Sequence, residues 1–128
     1  MRLTVRTSDR RQIVDLTDQI NGTLSPLPAG IRICHLTVQH TTAALTAADL
    51  DSGTDLDMLD AFAQLIPKLK YRHPHNPAHV PDHILAALIG PTISLPVDHR
   101  RLTLGTWQRV VLCEFNGPRD RTIVMTVI

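Results

Sequence analysis

Residues 122–128 place apolar side chains on both faces of any strand they form: Ile123, Met125 and Val127 on one face, Val124 and Ile128 on the other. A strand of that kind needs cover on two sides. The chain has 128 residues, the size of one domain. In a domain this small, a contact with another subunit is an economical second cover, so an oligomer is expected.

The rest of the chain supplies the layers. Residues 3–7 alternate polar and apolar as a strand does. Residues 15–24 suit a short helix begun by Thr17, with Ile20 and Leu24 on one side, and residues 25–30 hold two prolines and a glycine, a loop. Residues 31–40 read as a strand with Cys34, Leu36, Val38 and His40 on one face, His40 lying where the strand opens into a loop. Leu56, Leu59, Phe62 and Ile66 recur at helical spacing over residues 55–66; Asp55 and Asp57 suit the positive N-terminus, and Pro67 ends the run. A second helix spans residues 81–89, opened by Pro81 and closed by Gly90 and Pro91. Strands follow at 93–97, 102–104, 108–115 and 122–128, with Asn116-Gly117-Pro118 as a turn between the last two. Strands, two central helices and strands again define an α+β class, mainly antiparallel, in a compact single domain.

Composition removes several function classes. Lys plus Arg number 13 against 12 Asp plus Glu, a formal charge of +1, and aromatics are 3%. That is no electrostatic footprint for duplex DNA or an anionic membrane, and no base-stacking platform. No apolar run is long enough to span a bilayer, and residues 1–6 lack the hydrophobic centre of a signal peptide. Cys34 and Cys113 lie in apolar runs and read as buried thiols of a reducing compartment, so a cytoplasmic protein is expected.

Chemistry-bearing residues fall into four groups. His73, His75, His79 and His83 lie within eleven residues; neutral imidazole is the commonest transition-metal ligand. Pro81 interrupts the helical spacing of His79 and His83, and the glutamate of a zinc-protease helix is missing. Surface histidines on a polar loop are the competing reading of the first three. Asp49, Asp51, Asp55, Asp57 and Asp60 invite comparison with a calcium loop, but Gly53 and Thr54 take the fifth and sixth positions, where that loop needs glycine sixth. A solvated acidic loop fits better, with Asp49 the member to watch. Glu114 shares a strand face with Gln108, Val110 and Leu112, where a carboxylate is costly unless paired. Arg119 or Arg121 is the expected partner, in a structural ion pair or a functional one. Gly105-Thr106-Trp107 offers backbone N–H groups to a phosphate.

Four segments together resemble the YjbQ family, which is also labelled secondary thiamine-phosphate synthase: His40-Thr41-Thr42-Ala43-Ala44-Leu45, Leu88-Ile89-Gly90, Leu104-Gly105-Thr106-Trp107-Gln108, and Glu114-Phe115-Asn116-Gly117-Pro118-Arg119-Asp120-Arg121. The resemblance spans nearly the whole chain in the right order. It implies a compact α+β fold, a homotrimer, a cytoplasmic location and a weak thiamine phosphate synthase activity, joining a pyrimidine pyrophosphate to a thiazole phosphate. The family's histidine after its threonine-rich opening maps to His40, its helix-starting histidine to His83, and its tyrosine-x-histidine element to Tyr71 and His73. The chain departs from the resembled pattern at Ala48 and Asp49 (asparagine-glutamate), Asp82 (alanine) and Arg100 (glycine).

The expected function is therefore transfer involving a small phosphorylated metabolite. His40, His73 and His83 would hold a divalent ion, zinc or magnesium. His40, His83, Asp49 and Glu114 would form the catalytic set, and Gly105, Thr106, Arg119 and Arg121 the phosphate site. The alternative is a non-enzymatic trimer that binds a metal or a phosphate metabolite.

Overall fold

The computed structural model describes residues 1–128. Eight strands and three helices run in the order β1 (Arg2–Arg6), β2 (Gln12–Asp15), α1 (Thr17–Leu24), β3 (Ile33–Val38), β4 (Ala43–Ala48), α2 (Thr54–Leu65), α3 (Val80–Ile89), β5 (Thr92–Asp98), β6 (Arg101–Leu102), β7 (Arg109–Glu114) and β8 (Asp120–Val127), with one 3-10 turn, Pro77–His79, leading into α3. The fold is α+β, as expected. The strands form two antiparallel sheets, β1-β8-β3-β5-β6 and β2-β7-β4.

Period-two alternation explains how the layers meet. Leu3 and Val5 of β1, Cys34, Leu36 and Val38 of β3, and Ile123 and Met125 of β8 project from the large sheet onto Leu45, Val110 and Leu112 of the small one. Ile20 and Leu24 of α1 complete this core. On the far side of the small sheet, Ala44, Val111, Cys113 and Phe115 pack under Leu85 and Ala86 of α3 and the half-buried Met58, Leu59 and Phe62 of α2. Phe62 meets Phe115 edge-on, ring centroids 5.9 Å apart. Leu56, expected on this face, instead points to solvent at 61% exposure.

The strand covered on both faces is β7, whose residues 110–114 are all buried. In β8 only the inward face is buried; Val124 is half-buried and Ile128 exposed. Within the chain it is therefore β7, between the large sheet and the helices, and not β8, that is covered on both faces. Two strands escaped the sequence reading. β2 is only four residues long. β4 carries four alanines in six residues, a composition poor in intrinsic strand preference, and is held by its pairing with β7.

The Asn116-Gly117-Pro118 turn does not close a hairpin, because β7 and β8 belong to different sheets. It is a corner that carries the chain from one layer to the other. Its geometry depends on Gly117: a Cβ there would lie 2.4 Å from the Asp9 carbonyl oxygen, and the Gly117 N–H donates to Arg10 O at 2.9 Å. Between β5 and β6, His99 and Arg100 have φ of 50° and 61°. Positive φ at both positions is the signature of a type I′ two-residue hairpin loop, and residues with a Cβ adopt it at a cost of roughly 1–2 kcal/mol each. The α3 boundaries follow the punctuation, with the helix starting at Val80, one residue before Pro81, and Gly90 closing it at φ 104°.

Candidate functional site

His40 sits just beyond β3, half-buried. Its Nε2 accepts the backbone N–H of Thr122 at 2.9 Å, so in the neutral ring the proton is on Nδ1. Burial lowers its pKa from 6.5, Arg121 and Arg119 lower it further, and Glu114 opposes them. The ring is neutral at pH 7.

His83 occupies the first turn of α3. Its Nδ1–H donates to Thr41 O at 3.1 Å, which leaves its Nε2 lone pair facing Nε2 of His73 at 3.3 Å. Two ring nitrogens at that distance need a proton or a cation between them. His73 Nδ1 is buried and has no partner. His75 packs edge-on against His73, centroids 6.2 Å apart, and the His79 ring hydrogen-bonds Asn76 at 3.2 Å. Tyr71 donates its hydroxyl to Pro67 O.

His40 and His83, far apart in the chain, line one recess of about 460 Å³ with Thr41, Ala43, Ala86, Ala87 and Pro91. The expected three-imidazole metal site is not assembled: no group of three or more His, Cys, Asp or Glu side chains is placed to hold an ion. The hydrogen bond from Thr122 occupies the His40 Nε2 lone pair, and only the His73–His83 pair remains. The same finding disposes of a calcium loop around Asp49.

Glu114 and Arg121 form an ion pair between the two sheets. Glu114 is 0% and Arg121 1% exposed. Arg121 Nε donates to both carboxylate oxygens at 3.0 and 3.1 Å, and Nη2 also binds Glu114. Nη2 reaches Thr42 Oγ1 at 2.9 Å, while Thr7 Oγ1 donates to the carboxylate at 2.7 Å and Asn116 N–H at 3.2 Å. Burial raises the Glu114 pKa, but Arg121, Thr7 and Asn116 together outweigh it and hold the group below 4.5. This is the structural alternative of the two readings: Arg121 is sealed behind the recess and is not an anion ligand on its floor. Arg119 is exposed, forms no ion pair, and lies close enough to act on the His40 charge.

The remaining expected residues lie elsewhere. Asp49 and Thr106 line a separate depression of about 190 Å³ with Asp15, Leu50, Asp51, Trp107 and Arg109. The Gly105 N–H is spent on Gln108 Oε1 at 2.8 Å and is not a free phosphate donor. Sequence reasoning missed Thr7, Thr42 and the Thr41 carbonyl as partners. It also missed the role of Asp82, 0% exposed, which pairs with Arg11 at 2.9 Å and Arg10 at 3.3 Å. A charged residue one position before His83 in an otherwise apolar helix was the available signal.

Fold and site define a small α+β protein with paired antiparallel sheets and an imidazole-lined recess under its last helix. The chain belongs to the YjbQ family: the family described as "UPF0047 protein YjbQ-like" matches residues 1–128. A UPF0047 protein of Archaeoglobus fulgidus is 33% identical over 100% of both chains, and the YjbQ protein of Salmonella typhimurium is 37% identical over 82% of this chain and 78% of its own. Among solved structures, a YbjQ-like protein of unknown function from Sulfolobus solfataricus matches with TM-score 0.90 and 29% identity over 99% of this chain and 94% of its own. An uncharacterised YjbQ/UPF0047 protein of Clostridium acetobutylicum matches with TM-score 0.89 and 28% identity over 100% and 99%. No helix is long and apolar enough to cross a membrane.

Proposed function

We propose that this chain handles a small phosphorylated metabolite in the His40–His83 recess, with a divalent cation held by His73 and His83. The reaction proposed is of the thiamine phosphate synthase type, joining a hydroxymethylpyrimidine pyrophosphate to a thiazole phosphate. The observation that carries the reading is the 3.3 Å separation of the two Nε2 atoms. Two nitrogens bound at about 2.0–2.1 Å to one tetrahedral ion lie about 3.3–3.4 Å apart. Imidazole donors favour zinc over magnesium, which prefers oxygen.

When bound, such an ion supplies positive charge to a departing pyrophosphate. The chain's own residues do the rest. His40, neutral and fixed by Thr122, presents an Nδ1–H donor. Arg119 attracts phosphate at the surface beside it. Ala43, Ala86, Ala87 and Pro91 give an aromatic ring apolar contact. Asp49 and Thr106 take no part, and Glu114 acts only through Arg121 and Thr42 as support for the His40 loop. With two ligands from one chain, a homotrimer in which a neighbouring copy completes the coordination is part of this proposal.

Metal content of the native protein and turnover of the two phosphates by His83→Ala and His73→Ala test it. Loss of bound zinc and of product, with an unchanged circular dichroism spectrum, is expected. Full turnover by His83→Ala refutes the assignment. Calorimetric binding of both phosphates by the wild-type protein without product would instead support the non-enzymatic binder.

A further inference from the structure

An open groove of about 820 Å³, larger than the imidazole recess, lies between residues 29–32 and the β5–β6 hairpin. It shares no residue with the recess. Its charged lining is Arg32, Asp98, His99 and Arg100. Asp98 is already occupied by His99, Nδ1 to Oδ2 at 3.1 Å. Arg32 and Arg100 have no carboxylate partner, in contrast to Arg6, Arg10, Arg11, Arg109 and Arg121. Two arginines without a carboxylate partner therefore line one groove, one from each wall.

The walls are held in place independently of any ligand. Val97 N–H donates to Arg32 O at 2.8 Å, and Thr103 N–H to Pro96 O at 2.9 Å. The hairpin tip keeps Arg100 at φ 61°, a conformation that glycine adopts without steric cost. The fold does not need an arginine there, since its side chain pairs with nothing in the chain. Planar guanidinium groups match phosphate oxygens in geometry as well as charge.

We infer that this groove is a second anion site, which takes the phosphate or pyrophosphate group of a small metabolite between Arg32 and Arg100, with Thr103 and His99 as hydrogen-bonding neighbours. The inference stands apart from the proposed reaction and does not need it.

Inorganic pyrophosphate is the probe, titrated into 15N-labelled protein. Saturable amide shifts are expected at Gly30, Val97 and Thr103. Arg100→Gly, which relieves the backbone and should raise Tm, is expected to weaken that response at least tenfold, and Arg32→Ala likewise. His83→Ala is expected to leave it unchanged, so loss of the imidazole site and loss of the groove are read separately. Unchanged affinity in a folded, more stable Arg100→Gly protein overturns the inference, as does a response confined to residues around His40 and Arg119.

Discussion

Replacing Arg121 with Met keeps the unbranched stem of the side chain and removes the guanidinium with its charge. In the folded protein this leaves the Glu114 carboxylate 0% exposed with only Thr7 and Asn116 as donors. Breaking one side of a buried pair costs about 3–5 kcal/mol. Against a total stability of about 5–15 kcal/mol for a domain, that is a large fraction, and it corresponds to a fall in Tm on the order of 10–20 °C at this size. Urea unfolding followed by circular dichroism at pH 7 measures it. Adding Glu114→Gln to Arg121→Met should recover much of the loss, since the uncompensated charge is gone. The pH dependence gives a second check. Glu114 has a depressed folded pKa, so the wild-type contribution is complete above the ordinary value of 4.5 and disappears as pH falls through the lower folded value. Arg121→Met should flatten that acid limb. A loss under about 1 kcal/mol, together with weakened phosphate binding, would refute the structural assignment and return Arg121 to ligand recognition.

Gly117→Ala should cost about 1–3 kcal/mol, read by the same urea titration, because the new Cβ meets the Asp9 carbonyl oxygen at 2.4 Å. The Cys34 and Cys113 thiols, pushed by burial to about 11 and about 12, should resist a thiol reagent at pH 8 in the native state and react on unfolding. His40 should titrate below 6.5 by NMR. As its unfolded-state value is the higher one, it withdraws stability as pH falls from 6.5 towards its folded value, and His40→Gln should remove that slope.

How far the chain could be read in advance differs between elements and site. The β3 face of Cys34, Leu36 and Val38 is buried as its alternation implies. α3 begins one residue before Pro81 and ends one residue before Gly90, and α2 ends two residues before Pro67. The need of Glu114 for a cation was plain from its apolar neighbours, but whether Arg119 or Arg121 supplied it was not. Residue 121 shares the inward face of β8 with Ile123 and Met125, whereas Arg119 lies in the corner before the strand. The proximity of His73 to His83 was legible only as a count of histidines. Their contact depends on how residues 67–79 return to the start of α3.

Periodicity in the sequence by itself determined the longer elements and most of their buried faces, β3 and the helices above all, because burial of apolar side chains leaves a repeat of two or 3.6 that a local stretch displays; the short β2 and the alanine-rich β4 carry too little of that repeat to be read. The tertiary structure alone decided that β7 and β8 part into different sheets, that an ion pair bridges those sheets, and that His40 and His83 line one recess while Asp49 and Thr106 lie elsewhere. The partner of a polar side chain is chosen by strand register and layer packing between distant segments, and short-range pattern does not record that choice.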